Sequence, residues 1–381
     1  MQPTGSAGLR ILFVCSSDLR SPSEKQVLWL STHLAAAGHR SLISLRGDPD
    51  SARTEGAEGI EGVELRWHRF RGRRLSREDR AAAAGFRPDL IHAWNPRVPV
   101  IAAARSYSGA TGAPVLVHWE DDEWGMPRAH TAEGTLRRTG QAARRAVARV
   151  QPSAWYLATE ASIEWAASNS VAFDALTPIL ADYVRERTGR PCAAILPPLP
   201  SSPPGRAATG PELPDWATGR PLVALTGALL RGRLDDIRLA LRGAAAARRR
   251  GADLVFVLAG RNLTGIEPGE LAADAGLGER DFIFLDHVPY PSIPSLLARS
   301  AILLAVSQPT SLNVMCLPSK LQSYLVSGTP TVLSAHGAGE LFEDRREVLK
   351  LDRPDPDCLG ELIAALLEDP ELQRILSEGG S

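Results

Sequence analysis

Residues with chemistry to offer gather at three places in this chain. The first is the stretch NVMCLPSKLQSYLVSGTP (313–330), where Pro318, Ser319 and Lys320 open a short apolar-periodic segment. Proline suits a first helical position, so a helix is expected to begin at Pro318 with Ser319 and Lys320 behind it. Such a start aims free backbone N–H groups at one point, and a hydroxyl and an ammonium beside them make an anion site. The same three residues also suit an ordinary strand-to-helix corner, so their setting must decide. The second place is the basic loop LLRGR, which puts Arg231 and Arg233 just after the apolar run PLVALTG (221–227). The third is His118, where the run VLV stops, followed at once by Glu120, Asp121, Asp122 and Glu123. Acids packed this closely bind a metal, act as acid or base, or contact sugar hydroxyls; they are equally common in solvated loops.

Loops of this kind work together only if a scaffold carries them on one edge. LRILFVC (9–15) reads as a buried strand, SSDLRSPS with Arg20 as a polar loop, and EKQVLWLSTHLAAAG as a helix. Its face is Val27, Leu28, Leu30, Leu34 and Ala35, and Gly38 ends it before the strand SLISL (41–45). In such a β-α-β opening the loop after the first strand lies on the edge where parallel sheets bind ligands. That loop lacks glycine, so the dinucleotide fingerprint is absent, which speaks against a dehydrogenase. DLIHAW (89–94) and PVLVHWEDDEW (114–124) are each a strand entering a loop on the same ligand-binding edge. Before both lies RWHRFRGRRLSREDR (66–80), whose seven arginines form either a solvated loop or a face for anionic headgroups or a phosphorylated acceptor. TLRRTGQAARRAVARV reads as a basic helix, WYLAT (155–159) as a strand, VAFDALTPILADYVRERTG as a helix despite Pro178, and CAAILPPLP as a strand.

The stretch 197–221 is rich in Pro, Gly, Ser and Ala without periodicity, which divides the chain into a first domain 1–200, a linker 201–220 and a second domain 221–381. The second domain restarts the pattern. Strand PLVALTG and loop LLRGR lead to a helix with Leu234, Ile237, Leu241 and Ala244 on one face; strand DLVFVLAG leads to Arg261 and Asn262. FIFLDHV, a helix near 293–299 and the strand AILLAV (301–306) follow, then a loop with Pro309 and Asn313. Beyond Gly328 and Pro330 come the strand TVLS, a glycine-rich turn AHGAGEL (335–341) with Gly339 and Glu340, and a helix near 357–368. Two β/α halves predict a ligand clamped in a cleft between them.

Composition narrows the functions. A length of 381 residues with 44% hydrophobic content supports two cores, and a net charge of −1 argues against a nucleic-acid binder. Cys15, Cys192, Cys316 and Cys358 are scattered and have no His at a ligand spacing, so reduced thiols in a cytosolic protein are expected and no metal site. No apolar run approaches the ~18 residues of a membrane span, so any membrane contact is expected to be peripheral, at the inner face.

The order of the motifs resembles that of a known family. A strand, a basic loop after Gly, a helix, L-A-G, F-L-D-H-V-P, then P-S-K-L-x-x-Y-L-x-S-G-x-P and G-x-G-E is similar to the donor half of GT-B fold glycosyltransferases, nearest the family 4 group and bacterial exopolysaccharide enzymes. AAAGHRSLISL, PDLIHAWNPR, VLVHWEDDEW and AILPPLP resemble the first half of that fold, and the second and third resemble its acceptor-side loops, which makes Arg20, Trp94 and Asp122 the expected acceptor-binding residues. The resemblance implies two Rossmann-like β/α/β domains facing each other across a cleft, with the donor diphosphate gripped by the loop 227–233. Gly227-Ala228 stands where the family has Gly-Arg, so Arg231 or Arg233 would take the charge role. Ser319 and Lys320 would share those phosphates with Arg261 nearby; Gly339 and Glu340 would lie near the donor sugar, and His118 near the reacting carbon with Glu120 and Asp121 beside it. Two departures stand out: Met315 and Ser323 occupy the places of the family's Glu-x7-Glu pair. The family also continues past L-x-x-D-P-x-L into a helix that crosses back onto the first domain, whereas Ser381 follows soon after DPELQRILSEGGS.

These readings lead to a metal-independent, retaining glycosyltransferase that takes a UDP- or GDP-linked sugar as co-substrate, needs no cofactor, and serves a small-molecule, lipid-linked or glycan acceptor. A GT-B nucleotide-sugar 2-epimerase, or a degenerate homologue that only binds nucleotide-sugar or a partner, are the alternatives.

Overall fold

The structure is a computed structural model, and it describes residues 8–54, 57–68, 70–71, 74–125, 158–196, 210–289 and 292–379. They fall into two compact units, one within Met1–Ser201 and one within Ser202–Ser381.

The first unit is a seven-stranded parallel sheet. In chain order its elements are β1 (Arg10–Val14), α1 (Pro22–Ala36), β2 (Arg40–Leu45), β3 (Val63–Trp67), α2 (Arg77–Phe86), β4 (Leu90–Trp94), α3 (Val98–Thr111), β5 (Val115–Trp119), α4 (Glu160–Asn169), β6 (Ala172–Ala175), α5 (Pro178–Thr188) and β7 (Cys192–Ala194). The strands lie in the order β3-β2-β1-β4-β5-β6-β7, so the order reverses between β1 and β4. Central strands such as β1 run apolar from Ile11 to Val14 because helices cover both faces of the sheet.

Three expectations change here. The segment 171–189 is a strand and then a helix: Thr177 caps Leu180 N–H and Pro178 takes the first helical turn, so the proline starts α5. Of the arginine-rich stretch, residues 69, 72 and 73 lie outside the described residues; in the rest Ser76 caps α2 through Asp79 N–H, and Arg66 on β3 pairs with Asp79 at 2.9 Å, so it is not simply a solvated loop. Of the expected strand 155–159, residues 155–157 lie outside the described residues; Ala158 bridges Arg97 and Thr159 caps α4. The expected helix TLRRTGQAARRAVARV also lies outside them.

The second unit is a six-stranded parallel sheet. It comprises β8 (Leu222–Thr226), α6 (Leu234–Arg249), β9 (Val255–Ala259), α7 (Pro268–Ala275), β10 (Phe282–Leu285), α8 (Ile293–Arg299), β11 (Ile302–Ala305), α9 (Ser311–Met315), α10 (Ser319–Val326), β12 (Thr331–Ser334), β13 (Leu349–Leu351), α11 (Pro356–Glu368) and α12 (Pro370–Gly379). Its order, β10-β9-β8-β11-β12-β13, reverses between β8 and β11. Helices α6 and α11 pack almost backbone to backbone: a Cβ on Gly243 would fall 2.4 Å from Leu359, and one on Gly360 2.5 Å from Ala246. Four elements go beyond the sequence expectations, α7, β13, α12 and the helical turn α9 that replaces the expected loop around Asn313. Both sheets have the doubly wound order, whose ligands bind beyond the carboxyl ends of the strands at the reversal.

Candidate functional site

In the second unit the reversal is built around Gly227, the residue after β8. Its φ of 130° is a conformation open to glycine alone, and a Cβ on Gly260, after β9, would strike Gly227 O at 2.1 Å. Tyr324 on α10 is fully buried and its hydroxyl accepts from Thr226 N–H at 2.7 Å, which pins that helix to the end of β8. Burial, against the opposing bonds from Thr226, pushes its phenol up to about 12. Lys320 stands four residues earlier on the same helical face, so the anchor at Tyr324 delivers its ammonium to Gly227. A Cβ there would sit 3.9 Å from Lys320 Nζ. Burial, reinforced by Arg233 and resisted by Asp236 and Cys316, lowers this lysine from 10.5 to about 8.

Arg233 precedes α6 and is held from behind. Its guanidinium donates to Asn313 Oδ1 and lies 3.6 Å from Asp236. Asp236 is buried, accepts from Gln308 N–H at 2.7 Å and from Asn313 Nδ2 at 3.2 Å, and so ties α6, α9 and the end of β11 together. Beside them His336 Nε2 meets Ser307 Oγ at 3.1 Å, and burial lowers its imidazole despite the nearby Asp236. With one carboxylate between two cations the local balance is positive.

Of the residues expected to meet the donor, then, Gly227 and Lys320 come together, and Arg233 is near enough to disfavour the lysine's charge. Arg231 lies elsewhere, its Nη2 3.8 Å from where Gly265 would carry a Cβ, beyond the neighbouring strand. Arg261 is exposed after β9, and its carbonyl accepts from Leu229 N–H at 2.9 Å. Pro318 precedes α10 rather than starting it, and Ser319 at its first position is exposed. Gly339 packs so tightly that a Cβ would fall 2.0 Å from Ser334 O, and it sets the exposed Glu340 in a 3-10 turn after β12. Asp236, Asn313, Gln308 and Tyr324 were not singled out as site residues by the sequence. The one signal was the pairing of Asp235 and Asp236 in a first helical turn, which reads as ordinary complement to the helix dipole.

In the first unit His118 lies inside β5 rather than in the loop beyond it, and is 1% exposed. The register places it between Trp94 on β4 and Asp174 on β6. Trp94 stacks on its ring at 3.7 Å, its Nδ1 meets Asp174 Oδ1 at 3.0 Å, and His92 Nε2 meets the same oxygen at 3.2 Å. Burial alone would raise the Asp174 carboxyl, but the two imidazoles outweigh it and hold the carboxyl well below the usual range.

Glu120 is also buried and fully engaged: it accepts from Trp94 Nε1 at 2.9 Å, Asn95 Nδ2 at 2.6 Å and Ser23 Oγ at 2.6 Å. Arg97 holds Glu123 at 2.9 Å and Asp121 at 3.2 Å; burial, with Asp121 and Glu120 adding and Arg97 opposing, pushes Glu123 up to about 7. Asp122 accepts from Gly125 N–H at 2.9 Å and Tyr183 hydroxyl at 3.2 Å. Among the four acids only Asp121 is not buried. Arg20 pairs with Asp18 at 2.7 Å and Asp48 at 3.4 Å. The N–H groups of Ser16 and Ser17 after β1, where an anion would sit, are taken by the buried Glu24 at 3.1 and 2.9 Å. The first unit therefore fills its own anion position with a side chain, and the second leaves its cations at a strand end.

Comparison with known proteins follows the same division. Residues 220–369 match the family described as Glycosyl transferases group 1. The second unit carries a group 1 glycosyltransferase domain. No curated protein matches the sequence. Among solved structures, HepE from Anabaena in complex with UDP-glucose superposes with a TM-score of 0.66 at 16% identity, over 98% of this chain and 93% of that one. Sucrose-phosphate synthase from Thermosynechococcus elongatus gives 0.63 at 15%, over 98% and 93%. A putative UDP-N-acetylglucosamine 2-epimerase from Listeria monocytogenes gives 0.51 at 10%, over 98% and 91%. At such identities the likeness fixes the fold, which is GT-B, and the group 1 domain makes the protein a glycosyltransferase enzyme. Among the described residues no helix is long and apolar enough to cross a membrane.

Proposed function

We propose that the protein transfers a sugar from a nucleotide-diphosphate sugar, UDP- or GDP-linked, to an acceptor bound by the first unit, with retention and without a metal at the donor. The observation that carries this reading is Lys320 Nζ at Gly227, with Arg233 near enough to disfavour the lysine's charge, inside the group 1 domain and at the sheet reversal. A diphosphate that leaves the sugar develops negative charge, and two fixed cations offset it without reorganisation. The bare backbone of Gly227 lets phosphate oxygens approach closely, and the planar Arg233 fork suits two of them at once. Glu340, exposed in the turn after β12, is read as the acid that meets the donor sugar, with Met315 and Ser323 offering no second one. In the first unit His118 and Glu120 are read as positioning residues because their side chains are buried, and Asp121 as the acid that meets the acceptor. The acceptor is a small molecule, a lipid-linked sugar or a glycan, and the protein acts in the cytoplasm, with arginines of 66–80 as its contact with an inner membrane face.

A thermal-shift series with UDP, GDP, ADP and dTDP tests the donor site. One base is expected to raise the melting temperature clearly above the rest, since ligand at 100 times its dissociation constant adds about 2.7 kcal/mol. Equal, negligible shifts for all four would overturn the reading. The epimerase alternative draws on the likeness to the Listeria structure, and formation of an epimer from a UDP-sugar with no acceptor present would decide for it.

A further inference from the structure

Three strands of the first sheet bring together metal-ligating donors outside the proposed donor site. His92 on β4, His118 on β5 and Asp174 on β6 each offer one ligand atom, and these atoms lie within 4.8 Å of one another. All three residues are buried, at 5%, 1% and 2% exposed. From the geometry we infer that they form a binding site for one divalent first-row cation of the zinc class, held by His92 Nε2, His118 Nδ1 and Asp174 Oδ1.

The argument is one of spacing and rigidity. Tetrahedral zinc takes nitrogen and oxygen at about 2.0–2.1 Å, so neighbouring ligands stand about 3.3 Å apart. Asp174 Oδ1 already lies 3.2 Å from His92 Nε2 and 3.0 Å from His118 Nδ1. The backbone needs no rearrangement, because the ligands come from adjacent hydrogen-bonded strands in fixed register. The donor set is two imidazoles and a carboxylate, which suits zinc and leaves a position for water.

The protons can also be placed. Without metal each imidazole donates its facing N–H to Asp174. A cation takes the lone pair of that nitrogen, so in neutral His118 the proton must pass to Nε2. That atom is buried and, among the described residues, has no hydrogen-bond partner, so nothing there locks the other tautomer. The Trp94 ring stacked on His118 fixes its plane, which preserves the direction of Nδ1. A carboxylate shared by two imidazoles is a complete hydrogen-bonded unit by itself, so the experiment must separate a polar strut from a metal site.

The full chain, with any affinity tag removed, is stripped with chelator, incubated with a small excess of Zn2+, desalted and measured by elemental analysis; Co2+ is loaded in parallel. We expect about one equivalent of zinc and a visible Co2+ absorption band from the tetrahedral site. In Asp174→Asn and His118→Gln both signals should fall at least tenfold. Zinc below a tenth of an equivalent, or uptake unchanged in both variants, would overturn the inference. Should Asp174→Asn fail to fold by circular dichroism, His92→Gln replaces it with the same two outcomes. UDP binding is followed alongside: its absence sinks the donor reading and leaves the metal result standing, because the two sites share no residue.

Discussion

Lys320 carries a penalty in the free protein that its ligand is expected to relieve, and this gives a paired prediction. The lysine falls from 10.5 to about 8 because burial, with Arg233 nearby, disfavours its charge. At about 1.36 kcal/mol per unit, the charged form is disfavoured in the fold by about 3 kcal/mol at most, and less for a side chain that keeps some solvent contact. Lys320→Met keeps the length and removes the charge, so it should stabilise the free protein by about 1–3 kcal/mol. The sign with pH follows. Below pH 8 both folded and unfolded chains are protonated here and the full penalty stands; between 8 and 10.5 only the unfolded chain keeps its proton, so the variant's advantage should shrink across that window. The same substitution removes a charge-assisted bond to diphosphate of about 1.5–3 kcal/mol, a loss of roughly ten- to hundredfold in affinity for UDP or whichever nucleotide the thermal screen selects. Urea unfolding from pH 7 to 10.5, with titration calorimetry at pH 7, measures both halves. A variant that is less stable at neutral pH refutes the burial argument, and one that binds the nucleotide as tightly as wild type refutes the donor role.

Two further substitutions probe the supports. Asp236→Ala orphans Gln308 N–H and leaves Asn313 Nδ2 only its bond to Gln308 O, and at roughly 1–3 kcal/mol per orphaned group should cost about 1–3 kcal/mol in urea unfolding. It should also weaken nucleotide binding through Arg233, and binding at wild-type strength would show that Arg233 stands elsewhere when ligand is bound. Glu123 is raised from 4.5 to about 7, so the fold takes up a proton between those values and this group's stabilisation fades as pH rises through them. The stability of wild type relative to Glu123→Gln should therefore fall by up to about 3 kcal/mol from pH 4.5 to 7, and a difference that stays flat with pH would count against a buried, protonated Glu123.

The reach of the sequence is uneven for physical reasons. Apolar runs such as LRILFVC and PLVALTG announce central strands because helices cover both faces, and Gly227 marks a strand exit because no other residue suits its φ of 130°. Short strands do not announce themselves: AFDA offers four residues and LKL three, too few for any period. Thr177 and Pro178 did carry the signal of a helix start, and reading the proline as an interruption hid β6, the strand that brings Asp174 beside His118. His118 shows a limit of another kind. An apolar run that ends in His-Trp reads as a strand leaving the core, yet one more pair of residues kept inside the sheet changes an exposed edge residue into a buried one. The site in the second unit was half legible, since Lys320 and Arg233 advertise charge. Asp236 and Asn313 stand 77 positions apart and acquire their meaning only through the reversal of strand order, which sets the start of α6 against the turn after β11. That contact decides between Arg231 and Arg233: two arginines two positions apart are equivalent in a loop, and of the two Arg233 is the one with an acid and an amide behind it to fix its guanidinium.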